Sequence, residues 1–235
     1  MRVPTLLLVR HGRTTANDKG ILAGRTPGVL LDRTGERQAA VVADRIAALP
    51  LAAVVSSPLE RCGQTAAAIA GTPGRDLAVV SEERLTECGY GDWTGQELKK
   101  LAKEKLWKVV QAHPSAAVFP AGEAIRDMQA RAVTAVREWD ARLTDEHGPD
   151  AIWVAVSHGD VIKSVLADAL GTHLDQFQRI VVDPATVSVI AYTPLRPFVV
   201  RVNDHADLAG LIPKRRRRRR TSSDAAVGGG AGADG

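Results

Sequence analysis

Four short apolar runs along the chain predict β-strands that are buried on both faces. Each run ends at glycine, proline or polar residues and lacks the alternation of a strand with one solvated face. The runs are Leu6–Val9, Leu51–Val55, Leu77–Val80 and Ile152–Val156. Two later segments, Val187–Ala191 and Phe198–Val202, predict strands at a sheet edge or in a hairpin.

Between these runs, apolar residues recur at the three- and four-residue spacing of amphipathic helices. Five helices are predicted. The first begins near Thr34, and the second runs from Ser56-Ser57-Pro58 to Gly71. The third and fourth cover Lys99–Gln111 and Glu123–Glu146, and the fifth runs from Asp160 to Leu170. In the second helix we expect a serine hydroxyl as the N-cap and Pro58 in the first turn. The alternation of strands and helices predicts an α/β fold, a three-layer α/β/α sandwich with a mostly parallel, doubly wound sheet.

Polar residues follow three of the predicted strands directly. The clusters are Arg10-His11-Gly12, Ser56 to Arg61, and Ser157-His158-Gly159. Because the carboxyl ends of parallel strands share one edge of a sheet, we expect two arginines and two histidines to meet there. Guanidinium groups and helix N-termini both suit a phosphoryl dianion. From these residues alone the alternative is a set of unrelated strand ends, with His11 on the surface and His158 packed in the structure.

The spacing Arg-His-Gly-x-Thr-x-x-Asn at Arg10–Asn17, an RHG motif, resembles the signature of the histidine phosphatase superfamily, which includes the cofactor-dependent phosphoglycerate mutases. Further segments match the family pattern in the same order, over roughly residues 3–200. They are Leu31–Ala39, Ser56–Ala66, Leu85–Gly95, Phe119–Glu123 and Ser157–Gly159. A single Arg-His-Gly is weak evidence, but the ordered set identifies a phosphoglycerate mutase-like fold.

The resemblance implies a role for each matching residue. His11 would attack phosphorus and become a phosphohistidine, while Glu87 would protonate the leaving oxygen. Arg10, Arg61 and His158 would hold the phosphoryl oxygens, and Asn17 would add a further contact. The chemistry is sound, because a neutral imidazole is a good nucleophile and fixed guanidinium groups can stabilise phosphoryl charge without a metal. We therefore expect neither a metal nor a cofactor.

Two features of the chain leave alternatives open. Glu82 and Glu83 lie close to Glu87 and compete with it for the role of proton donor. In addition, Arg13 stands where many relatives carry Glu, and Ala121 and Ala124 stand where Gly and Ser are common. These departures do not touch the expected chemistry, but they weaken any inference about the substrate.

The length of the segment Gln96–Val118 distinguishes a phosphatase from a phosphomutase. In phosphoglycerate mutases of the superfamily, a longer segment shields the phosphohistidine and holds the bisphosphate cofactor, and no such segment is present in this chain. A site that admits water should hydrolyse its phosphoenzyme. We therefore expect a phosphomonoester hydrolase acting on a small phosphorylated metabolite, with a phosphomutase as the alternative.

The positive charge of the chain is concentrated at its C-terminal end. The formal net charge is +4, yet seven basic and two acidic residues lie between Lys214 and Gly235, which leaves the rest at −1. We expect one domain over residues 1–213 and a disordered tail over residues 214–235. The run Arg215–Arg220 offers a function of another class, weak binding of nucleic acid or another polyanion, although no nucleic-acid-binding motif accompanies it.

Composition is that of an ordinary soluble globular protein, with 45% hydrophobic and 25% charged residues, and a cytoplasmic location is expected. No apolar run is long enough for a membrane span or a signal peptide, so no membrane partner is expected. Cys62 and Cys88 are expected to be free thiols in a reducing compartment, although each lies beside an expected site residue, which leaves a redox link open. A homodimer also stays open.

Overall fold

The computed structural model describes residues 3–75, 77–205 and 228. Six strands form one sheet in the order β3-β2-β4-β1-β5-β6. The strands are β1 (Thr5–Arg10), β2 (Leu51–Ser56), β3 (Val79–Ser81), β4 (Ile152–Ser157), β5 (Val187–Tyr192) and β6 (Pro197–Asp204). The strands β1 to β4 are parallel to one another, whereas β5 is antiparallel to β1 and forms the predicted hairpin with β6 at one edge. The prediction of an α/β fold is confirmed. The predicted end of the domain at residue 213 and the predicted tail lie outside the described residues, except for Gly228.

Seven α-helices connect these strands in the described part of the chain. They are α1 (Thr15–Lys19), α2 (Arg33–Arg45), α3 (Glu60–Ala70), α4 (Leu98–Leu101), α5 (Lys105–Ala112), α6 (Ile125–His147) and α7 (Gly159–Ala169). The single helix predicted over Lys99–Gln111 is wrong, because a turn at residues 102–104 divides it into α4 and α5. None of the helices in the described part of the chain is both long and apolar enough to cross a membrane.

Strand β1 shows how the sheet acquires a core on each face. Leu6 and Leu8 belong to a cluster with residues of α6 and α7, whereas Leu7 and Val9 pack with residues of α2 and α3. Because successive side chains of a strand point to opposite faces, a continuous apolar run is what a sheet covered by helices on both sides requires. This burial fixes the register of β1 and, with it, the position at which Arg10 and His11 leave the sheet.

The predicted ordered loop over Glu83–Gly95 is fixed by close backbone packing against residues 120–122. Gly91 has a φ of +52°, and a Cβ atom there would lie 2.0 Å from the carbonyl oxygen of Pro120. Gly122 is equally confined, since its Cβ would lie 2.3 Å from the carbonyl oxygen of Gly89. Only glycine permits such an approach. This packing holds the loop that carries Glu87 in place.

Candidate active site

The three polar clusters lie together because β2, β4 and β1 are consecutive neighbours in the sheet. The rings of His11 and His158 are in edge-on contact, with centroids 5.3 Å apart and planes inclined at 61°. The Nη2 atom of Arg61, which α3 brings from the end of β2, lies 3.3 Å from Nδ1 of His158. The structure thus places in one buried group three residues that are far apart in the sequence.

His11 is held in the form that a nucleophile needs. Its Nδ1 lies 2.7 Å from the carbonyl oxygen of Gly12, and a carbonyl can only accept, so Nδ1 carries the proton and Nε2 keeps its lone pair. Burial, followed by the charges of Arg61 and Arg10, lowers the pKa of His11 well below its usual range. The imidazole is therefore neutral at physiological pH.

Gly12 is essential to the turn that presents His11. A Cβ atom at Gly12 would lie 2.4 Å from the carbonyl oxygen of Gly35, so the chain after β1 and the start of α2 pack backbone against backbone. The Gly12 N–H also donates to Oγ1 of Thr65, which in turn donates to the carbonyl oxygen of Arg61. The backbone next to His11 and the start of α3 are thereby joined through a single hydroxyl group.

Arg10 and Arg61 are buried guanidinium groups anchored by backbone oxygens. Nη1 of Arg10 donates to the carbonyl oxygen of Val182 at 2.8 Å, and Nη2 of Arg61 donates to that of Gly24 at 2.7 Å. Within the described residues, Nη1 of Arg61 is buried and has no hydrogen-bond partner. Because an unpaired buried donor on a cation is costly, this atom indicates an anionic ligand.

His158 begins α7 and is completely buried. A guanidinium group can only donate, so Nδ1 of His158 accepts from Arg61, and Nε2 carries the proton that is donated to Oγ of Ser57 at 2.8 Å. Burial, with Arg61 as the next cause, lowers the pKa of His158 well below its usual range. The prediction that a serine hydroxyl caps α3 is wrong, since the cap residue is Leu59 without a side-chain hydrogen bond, and Ser57 orients His158 instead.

Glu87 has the environment of a proton donor. It is 4% exposed, its Oε2 lies 3.9 Å from Nδ1 of His158, and its Oε1 accepts from the backbone N–H of Cys88. Burial, with a contribution from the charge of Asp160, raises its pKa to about 7. This raised pKa allows Glu87 to carry a proton near neutral pH.

The two rival carboxylates lack such an environment. Glu82 forms an ion pair with Arg84 and accepts a hydrogen bond from the indole of Trp139, and these contacts, that with Arg84 first, lower its pKa to about 2. Glu83 lies exposed in a 3₁₀ turn. Of the three carboxylates, only Glu87 therefore lies buried beside His158.

A network that the sequence did not indicate holds the Glu87 backbone. The carbonyl oxygen of Glu87 accepts from Nε of Arg25 and from Nη2 of Arg131. Both arginines also pair with Glu123, whose Oε2 accepts from the N–H of Gly89. Glu123 belongs to a matched segment, but Arg25 and Arg131 lie 62 and 44 residues from Glu87, so no local pattern could have revealed the network.

The described contacts of Asn17 are those of a helix cap, and the two cysteines lie beside site residues. The Oδ1 atom of Asn17 accepts from the N–H and the hydroxyl of Thr14 and so completes the capping box of α1, which leaves its predicted contact with a ligand a prediction. Cys62 and Cys88 are buried free thiols. Sγ of Cys62 lies 3.5 Å from Nε2 of His158, and burial raises the pKa of Cys62 to about 12. In this neutral form the thiol is a packing group, not a nucleophile.

Asp160 is a second residue that the motifs did not single out, although it follows Ser157-His158-Gly159 directly. It is 1% exposed, and its Oδ2 accepts from the hydroxyl of Tyr90 at 2.8 Å. Its Oδ1 lies 3.7 Å from Nζ of Lys163, which is also buried. Among the described residues, no group of three or more histidine, cysteine or acidic side chains is arranged to hold a metal ion.

Comparison with known proteins finds the same family along most of the chain. The model of the histidine phosphatase superfamily (branch 1) matches residues 6–205. Phosphoserine phosphatase 1 of Hydrogenobacter thermophilus is 29% identical over 201 residues, covering 84% of this chain and 91% of that protein. Glucosyl-3-phosphoglycerate phosphatase of Mycolicibacterium vanbaalenii is 30% identical over 180 residues, covering 75% and 79%. The crystal structure of a phosphoserine phosphatase from Entamoeba histolytica aligns with a TM-score of 0.76 at 25% identity, covering 86% of this chain and 98% of that one.

Proposed function

The chain belongs to the histidine phosphatase superfamily and is a phosphatase of small phosphorylated metabolites, and we propose that His11 is its nucleophile and Glu87 its general acid. The observation that carries the assignment of these residues is the buried Nη1 of Arg61, an unpartnered cationic donor among the described residues, in a group that also holds His11 and His158. A phosphoryl oxygen satisfies this donor.

In the first step, Nε2 of His11 attacks phosphorus and the bond to the ester oxygen breaks. Arg10 and Arg61 stabilise the charge on the equatorial oxygens, and His158 joins them when its Nε2–H turns from Ser57 to a phosphoryl oxygen. Glu87 gives its proton to the departing alkoxide. In the second step, Glu87 takes a proton from a water molecule that attacks the phosphohistidine. Inorganic phosphate leaves, and His11 and Glu87 return to their starting forms. Asn17 is proposed to contact the substrate with its amide NH₂ group, since its Oδ1 is occupied by Thr14.

Hydrolysis is favoured over phosphoryl transfer to a second substrate. The segment between the Glu87 loop and α6 contains the short helices α4 and α5 and a 3₁₀ turn at Pro114–Ala116. The relatives named above are phosphatases. The test is incubation with 2,3-bisphosphoglycerate and 3-phosphoglycerate, for which we expect release of inorganic phosphate. Efficient isomerisation with little free phosphate would identify a mutase instead.

The substrate is proposed to be a phosphate ester of a small polar metabolite, and a screen of phosphate release identifies it. The panel begins with phosphoserine and glucosyl-3-phosphoglycerate, the compounds in the names of the two relatives, and continues with sugar phosphates. The control is His11→Ala, which we expect to lower turnover at least ~10³-fold on every active compound. If this variant retains activity within a few-fold of the native protein, His11 is not the nucleophile.

Polyanion binding by Arg215–Arg220 is a separate proposal, supported by charge alone. Replacement of the six arginines by serine should abolish binding to heparin or single-stranded DNA without lowering phosphatase turnover. We further propose that the protein acts in the cytoplasm, as a monomer or a homodimer. Sedimentation equilibrium separates the two oligomeric states.

A further inference from the structure

A residue from the C-terminal end of the chain lies against the candidate active site. Within residues 206–235 the structure describes Gly228 alone. The Gly228 N–H donates to Oδ2 of Asp160 at 2.8 Å, and the Gly228 carbonyl oxygen accepts from Nη2 of Arg10 at 3.3 Å. One peptide residue therefore bridges an acid and a base that lie on different elements of the fold.

Both groups that hold Gly228 also make hydrogen bonds to other parts of the fold. The hydroxyl of Tyr90 donates to the same Oδ2 atom of Asp160, and the carbonyl oxygen of Val182 orients the Arg10 guanidinium through Nη1. Asp160 and Arg10 are each buried, so hydrogen bonds to their charged groups are stronger than at an exposed surface. The pair forms a preorganised clamp, which we define as Arg10 Nη2 and Asp160 Oδ2.

The clamp fits glycine better than any other residue. Gly228 has a φ of +75°, a left-handed conformation that side chains disfavour. A Cβ atom at this position would lie 3.0 Å from Cδ1 of Leu22 and 3.5 Å from the hydroxyl oxygen of Tyr90. A β-branched residue would therefore combine backbone strain with crowding against Leu22.

We propose that the Arg10–Asp160 clamp is a binding site for a glycine residue of a peptide, that its occupant is Gly228 of this chain, and that Gly228 competes with the substrate. The competition rests on the proposed function, in which Arg10 binds the phosphoryl group. A guanidinium N–H that donates to Gly228 is not available to a phosphoryl oxygen. Only molecules in which Gly228 has left the clamp can bind the phosphoryl group through Arg10. The presence of Gly228 in the clamp therefore raises KM and leaves kcat at saturation unchanged.

The experiment compares the full-length protein with the full-length variant Gly228→Val and with a chain that ends at Ala226. Both changes retain Arg215–Arg220, so polyanion binding is held constant. The matched control is Gly232→Val, which places the same side chain four residues further along the same tail. If Gly228 occupies the clamp in about nine molecules of ten, KM should fall about tenfold in both test variants while kcat stays within twofold.

A second measurement detects the clamp without turnover. A synthetic peptide of residues 221–235 is titrated into the chain that ends at Ala226 by calorimetry. We expect binding that inorganic phosphate displaces, and at least tenfold weaker binding of the peptide that carries Gly228→Val. The same peptide should inhibit the shortened enzyme competitively.

Each outcome decides the proposal. The proposal would be overturned by an unchanged KM in both test variants or by an equal effect of Gly232→Val. A fall in kcat on truncation would also overturn it, because the removed residues would then assist catalysis. Peptide binding that phosphate does not displace would also overturn the competition. If no variant hydrolyses any phosphate ester, the proposed function fails, but displacement of the peptide by inorganic phosphate still tests the clamp.

Discussion

Replacement of Glu87 by glutamine tests the proton donor through the substrate's leaving group. An ordinary carboxyl group with a pKa of 4.5 is protonated in about one molecule in 300 at pH 7. Burial raises the pKa of Glu87 to about 7, so about half of the molecules carry the acid, a gain of about two orders of magnitude. Glutamine keeps an oxygen for the Cys88 N–H but has no proton to give.

The expected effect of Glu87→Gln depends on how much the leaving oxygen needs that proton. The rate of the first step with an alkyl phosphate such as phosphoserine should fall ~10²–10⁴-fold, the usual contribution of general acid catalysis. For p-nitrophenyl phosphate, whose phenolate leaves without protonation, the fall in this rate should stay within about tenfold. The assay is release of the alcohol or phenol in a single turnover, which reports the first step and not the second, in which Glu87 acts as the base. Equal losses on the two substrates would refute the role of Glu87 as the acid.

The same variant should be more stable than the native protein at alkaline pH. Because the pKa of Glu87 is raised on folding, its contribution to stability is present in full below pH 4.5 and is lost as the pH rises through about 7. Glutamine stays neutral throughout. The stability advantage of Glu87→Gln should therefore grow by about 2 kcal/mol between pH 5.5 and pH 8 in urea unfolding. An advantage that does not change with pH would show that Glu87 is not buried in its charged form.

Further predictions concern residues around the site. Ala124→Ser should stabilise the protein to urea by about 1 kcal/mol, because Ala124 is the N-cap of α6 and supplies no side-chain hydrogen bond. Ala121→Gly should add about 1 kcal/mol by the same assay, since Ala121 has a φ of +52°. Cys62 should resist iodoacetamide in the folded protein, with phosphatase activity retained, because its buried thiol has a pKa of about 12. Labelling of Cys62 together with loss of activity would contradict its assignment as a packing group.

The sequence was most informative where burial alone determines structure. The apolar runs of β1, β2 and β4 correspond to strands of the sheet centre, because only a strand covered on both faces tolerates a continuous apolar sequence. The position of the polar clusters followed from the same argument, since parallel strands end at one edge. By contrast, the third predicted strand lies two residues later than expected, at the sheet edge, where its residues are exposed and the apolar pattern constrains them little.

Local sequence patterns did not predict the contacts between residues that are distant in the sequence. The arginines that hold the Glu87 carbonyl oxygen come from positions 62 residues before and 44 residues after it. Ser57 was expected to cap a helix, as its type and position suggest, but a hydrogen bond to His158 replaces that role. The turn that divides α4 from α5 contains neither glycine nor proline, so nothing in the spacing of residues 99–111 predicted it.

The central claim is that the phosphoryl group passes through His11, and trapping the intermediate tests it most directly. The full-length protein is mixed with a phosphate ester that it hydrolyses, and the reaction is quenched with alkali within milliseconds. The protein is then digested, and the site of phosphorylation is located by mass spectrometry. We expect a base-stable phosphoryl group on the imidazole of His11, absent in His11→Ala. A phosphoryl group on any other residue, or substrate turnover in His11→Ala at the native rate, would contradict the mechanism.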